Sequence, residues 1–139
     1  MNTKLTLAAL AATSIIANPV FAETTGIDWY QQGIKAKYYL KDQDAKEYFL
    51  QAASSGHVEA QYELAILLLN EELIQEQPHI QSIHWLTLAA ENHHPKAQYE
   101  LALFYMDEYD NPQAEQLTQK WMLAAAENAH EEAIKWVGQ

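Results

Sequence analysis

Cysteine is absent from the 139-residue chain, and so is arginine. Without cysteine no disulfide framework can staple the fold, and no lipidated cysteine can anchor it. Without guanidinium forks, and with eight lysines against nineteen acidic residues, the chain is a poor candidate for nucleic acid or anionic headgroups. Glycine and proline number only four each, and no segment alternates polar and apolar residues as a half-buried strand does. The sequence also lacks a glycine-rich phosphate loop, a nucleophile elbow and the two-histidine helix motif of zinc proteases. These absences point away from catalysis and from a resident cofactor or metal, and towards a domain held together by helix packing.

The longest apolar run, Leu5 to Ala17, follows Lys4 and precedes Asn18-Pro19-Val20-Phe21-Ala22. A basic start, an apolar stretch too short to span a bilayer and small residues before a break are the parts of a secretory leader. We read residues 1–22 as a cleaved signal peptide and 23–139 as the exported domain, placed in the periplasm, with secretion beyond it open. An uncleaved anchor is the alternative. Loss of Lys4 with the leader leaves seven lysines and takes the net charge from −11 to −12. That acidity favours solubility and attracts cationic partners.

What the chain does contain is a repeat. Ala60-Gln61-Tyr62-Glu63-Leu64-Ala65 returns as Ala97-Gln98-Tyr99-Glu100-Leu101-Ala102, and WLTLAA from Trp85 returns as WMLAAA from Trp121. A period of this size is the signature of stacked helical units. Apolar residues three and four apart predict helices from Ile27 to about Leu40, from Asp42 as N-cap to Ser54, and from Val58 to Leu69. A polar, acidic connector is expected over Asn70–Gln77, with Leu73 and Ile74 plugging the core. Further helices are expected from Pro78 to Glu91, from Pro95 to Met106, from an Asn111 cap and Pro112 to Asn128, and from Glu131 to Val137. The units are about 27–57, 58–94 and 95–130, with a terminal helix at 131–137. Ala52-Ala53, Ala89-Ala90 and Ala125-Ala126 let each second helix approach Ala60, Ala97 and Ala133 of the next unit closely. Tyr48, Trp85 and Trp121 fill the wider gaps as core aromatics.

The Ala-Gln-Tyr-Glu-Leu-Ala opening, the later aromatic and the Ala-Ala-Glu-Asn close resemble the Sel-one-like repeat (SLR) family, relatives of the tetratricopeptide repeat. The resemblance covers about Gly33 to Val137. It implies an all-α fold, a right-handed α-α superhelix of about three helix pairs plus a C-terminal half-repeat, acting as a non-catalytic adaptor for another protein. Some exported members resemble immunity proteins, so a periplasmic inhibitor that neutralises a toxin or lytic enzyme is the alternative. The chain departs from the family where Ala65 and Ala102 replace the usual glycine, and where the connectors lack glycine.

Two surfaces are candidates for binding another protein or peptide. The first is the wall carrying Gln61, Glu63, Gln98 and Glu100. The second is an acidic edge, Glu71 and Glu72 in one unit with Asp107, Glu108 and Asp110 in the next, suited to a basic partner. His57, His94 and His130 recur with the period, but equivalent positions of stacked helices lie about 10 Å apart. That is too far for three ligands of one ion, so these histidines are expected to be turn or cap residues.

Overall fold

The computed structural model describes residues 19–139, with side chains from residue 26 onward. The expected leader therefore lies almost wholly outside the described residues. Among the described residues seven helices follow one another: α1 (Pro19–Tyr38), α2 (Asp42–Ser54), α3 (Val58–Ile74), α4 (Ile80–Glu91), α5 (Pro95–Met106), α6 (Ala114–Glu127) and α7 (Glu131–Val137). No strand occurs among the described residues. Each helix packs chiefly on its neighbours in the chain, and the closest pairings are α1 with α2, α3 with α4 and α5 with α6. The fold is all-α and built from consecutive helix pairs.

Alanine makes this stacking possible. Ala45, Ala52, Ala60, Ala89, Ala97, Ala125 and Ala133 are all fully buried, so backbones approach closely wherever one pair meets the next. Two clusters of buried side chains meet at α3. Ala60, Leu64 and Leu68 face Phe49 and the first pair, whereas Ala65 faces Leu86, Leu101 and the later helices. Trp121 is buried, and Trp85, half-buried, packs against both clusters. In α1, Gly33 and Ala36 face inward, but Trp29 remains exposed, as do Tyr39 and Leu40 in the turn that follows.

The turns between pairs are copies of one another. The His57 amide donates to the Ala52 carbonyl and the Gly56 amide to Ala53, the paired bonds of a Schellman motif. His93 and His94 on Ala90 and Ala89, and Ala129 and His130 on Ala126 and Ala125, repeat it. The motif needs a left-handed residue, which Gly56 supplies at φ 92° and which His93 and Ala129 adopt at 64° and 66°. The histidine that closes each motif is also the N-cap of the next helix. His57 Nδ1 accepts from the Ala60 amide at 3.2 Å and His94 Nδ1 from the Ala97 amide at 3.1 Å.

Several expected boundaries differ. Asp42 is the first residue of α2, with Lys41 in the cap position. α4 begins at Ile80, so Pro78 lies before it, and α6 begins at Ala114 behind an Asn111 side chain that accepts from the Gln113 amide. The largest difference is Asn70–Ile74, which is helix and not connector. Glutamate and leucine are good helix formers, so an acidic stretch there extends α3 by another turn. Leu73 and Ile74 consequently point outward and do not plug the core; Ile74 is among the most exposed apolar residues of the chain.

Candidate functional site

The wall expected to carry Gln61, Glu63, Gln98 and Glu100 is partly turned inward. Gln98 is 2% exposed; its Nε2 donates to the Ala90 carbonyl at 3.0 Å and its Oε1 accepts from Asn128 Nδ2 at 3.0 Å. Gln61 repeats the arrangement more loosely, donating to the Ala53 carbonyl at 3.4 Å and accepting from Asn92 at 3.5 Å. Each rung links the end of one pair's second helix, the first helix of the next pair and the end of that pair's own second helix. Each glutamine amide adds a second donor to a carbonyl that already accepts the Gly56 or His93 amide of the turn, using the oxygen's other lone pair. Both amides are thus structural and leave only Glu63 and Glu100 facing solvent on this wall, each half-buried. Glu63 pairs with Lys37.

Beside these acids runs a column of aromatic stacks. Tyr30 lies on His57, Tyr62 on His94 and Tyr99 on His130, with centroids 4.5, 4.4 and 4.2 Å apart and planes within 21° of parallel. Each tyrosine belongs to the first helix of one pair, and each histidine caps or precedes the first helix of the next. In the middle stack His94 Nδ1 accepts the amide, so the ring proton sits on Nε2, 3.0 Å from Glu59. Burial pushes the Tyr62 phenol up to about 12, with Glu100, Glu63 and Glu59 adding to the shift. Tyr30 is raised for the same reasons, burial first and then Glu63 and Glu59. These stacks lie across the joints between pairs. Among the described residues no three His, Asp or Glu side chains converge as a metal site.

The acidic edge is not uniform either. Glu72 is 5% exposed and its carboxylate accepts from the Gln81 amide at 2.9 Å, the Ser82 amide at 3.4 Å and the Ser82 hydroxyl. It therefore caps the N-terminus of α4 from α3, where a negative charge also suits the helix dipole. Glu71 pairs with Lys46 at 2.6 Å. Both acids are engaged within the fold. Asp107, Glu108 and Asp110, by contrast, are all exposed on the link between α5 and α6.

That link borders a groove of about 590 Å³. Tyr105 and Met106 from α5, Glu108, Tyr109 and Pro112 from the link, Glu115 and Thr118 from α6 and Trp136 from α7 all contribute to its lining, and none of the lining residues is basic. The Thr118 hydroxyl is buried and has no hydrogen-bond partner. Reading the chain for repeating chemistry misses the groove, because it is built from residues that do not repeat. The stacks and rungs were open to detection: Tyr62 and Tyr99 lie within the duplicated hexapeptide, and Asn92 and Asn128 obey the same period. Comparison with protein-family models, curated proteins and solved structures found no match.

Proposed function

We propose that the chain is an exported, non-catalytic scaffold that binds another protein, with its helix pairs wound as a right-handed superhelix of SLR type over residues 23–139. The observation that carries this reading is the division of labour among polar residues. Those that recur with the period (Gln61 and Gln98, Asn92 and Asn128, the three histidines) are used to join one pair to the next. The exposed acids Asp107, Glu108 and Asp110 are left on one edge of a chain with net charge −11, which favours a cationic partner.

The test is affinity capture from the native envelope with the purified domain, beside a variant carrying Asp107→Lys, Glu108→Lys and Asp110→Lys. A partner held by the parent and released by the variant is the expected result. Glu72 is kept out of that set, since its loss would damage α4 instead of testing docking. Capture that is unchanged in the variant would remove the acidic edge from the reading, and a parent that retains nothing at all would remove the scaffold. Mass determination of the exported chain checks the leader: the expected N-terminus is Glu23.

A further inference from the structure

Three departures from the repeat, two in the third pair and one in α7, face one groove. Where the second pair has Glu72, the third has Tyr109; where it has Ser82, the third has Thr118. Where α3 and α5 carry Glu63 and Glu100, α7 carries Trp136. In the second pair the acid fills its own site, because the extra turn of α3 brings Glu72 onto Ser82 and the start of α4. α5 stops at Met106 without that turn. The link after it lines the groove, and Thr118, 6% exposed, keeps a hydroxyl with no partner. Lys120 of α6 does not line the groove; it sits over the Trp121 ring, 4.2 Å from its centroid.

We infer that this groove between α5, α6 and α7 docks a short partner segment that alternates lysine or arginine with apolar side chains. Tyr105, Tyr109 and Trp136 offer aromatic surface for the apolar residues and ring faces for a cation. Glu108 and Glu115 offer the opposite charge at the rim, and the buried Thr118 hydroxyl leaves one polar atom of the lining unpaired in the free protein. Two other grooves lack this character. In the one lined by α2 and α3, Lys46 and Glu71 already satisfy each other. In the one of about 550 Å³ beside Glu47, the Trp29 and Tyr48 rings stack on each other and no buried polar atom is left without a partner. The inference rests on the scaffold reading and names the site through which that scaffold works.

The test uses the full exported domain and three blocked, fluorescently labelled peptides: Lys-Leu-Lys-Leu-Lys, Lys-Gly-Lys-Gly-Lys and Glu-Leu-Glu-Leu-Glu. The first should bind, shift the Trp136 indole resonance and weaken with salt; the other two should bind at least tenfold more weakly. The double variant Glu108→Lys, Glu115→Lys should lose at least tenfold in affinity. Tyr109→Ser should lose several-fold without a folding penalty, since Tyr109 is 89% exposed. Tyr38→Ser, also highly exposed but at the far end, should change nothing. Failure of the first peptide to bind, or binding that ignores both groove variants, overturns the groove. An envelope partner captured equally by parent and double variant also overturns the groove while leaving the scaffold standing. Peptide binding at the groove with no envelope partner would do the reverse.

Discussion

Gly33 holds the place that Ala65 and Ala102 take in the later pairs, and its neighbour Phe49 the place of Leu86 and Met122. The exchange is one of volume: a Cβ on Gly33 would lie 2.5 Å from two carbons of the Phe49 ring, which is fully buried. Gly33→Ala should therefore destabilise the domain by about 1–3 kcal/mol through overpacking. Adding Phe49→Leu, which restores the alanine–leucine combination of the second pair, should recover most of that loss. Denaturant titration of the single and double variants measures it, and a double variant weaker than both singles would show that the two sites are not exchanging volume. Tyr62 makes a second prediction at this scale. Its phenol ionises near 10.0 in the unfolded chain and near 12 in the fold. Between those values the unfolded chain has lost a proton that the fold retains, so stability falls as pH rises through this window and levels off above it. Tyr30 acts with the same sign. Tyr62→Phe should flatten the fall; a variant that loses as much stability as the parent between pH 10 and 12 would clear Tyr62 of the effect.

At the scale of the element, α4 is the helix whose start depends on another helix. His79, in its cap position, makes no side-chain cap bond, and Glu72 supplies the missing acceptor from α3. Glu72→Ala leaves two amides and a hydroxyl without that carboxylate, at a cost of about 1–3 kcal/mol. Glu72→Gln, which keeps one acceptor oxygen, should fall between. Urea denaturation decides the matter: an alanine variant within about 0.5 kcal/mol of the parent, the range of ordinary surface changes, would mean that water caps α4 just as well. This element also shows where reading the chain succeeds and where it stops. The period, the seven helices, the alanine contacts and the histidine turns are legible, because each depends on residues close in sequence or on a spacing that repeats. The extra turn of α3 is not, since Asn70–Ile74 is polar enough to pass for a connector while its glutamates and leucine favour helix. The inward Gln61 and Gln98 are hidden for a related reason. An amide on a helix reads as solvent-facing until the carbonyl at the end of the preceding helix, which can take a second donor, is in view.

At the scale of the molecule, contacts among the described residues run along the chain: each helix rests on the one before and the one after, and little joins distant pairs. In such an array stability is close to a sum of local terms, and damage at one joint should stay near it. The Gln98 rung is the tighter of the two and fastens α5 both to the end of α4 and to the end of α6. Gln98→Ala should therefore loosen the end formed by α5, α6 and α7 by about 1–3 kcal/mol. Native-state hydrogen exchange resolves the position of the loss. Amides of α6 and α7 should exchange about tenfold faster or more, while those of α1 and α2 keep their parental rates. Equal acceleration across α1 and α2 would mean that the seven helices open as a single unit, in which case the joints are fully coupled and the neighbour-only picture fails. A loss confined to α6 and α7 carries a further consequence for binding. A segment docked against α5, α6 and α7 would tie these helices together, so the peptide that fills the groove should slow the same amides that Gln98→Ala speeds up.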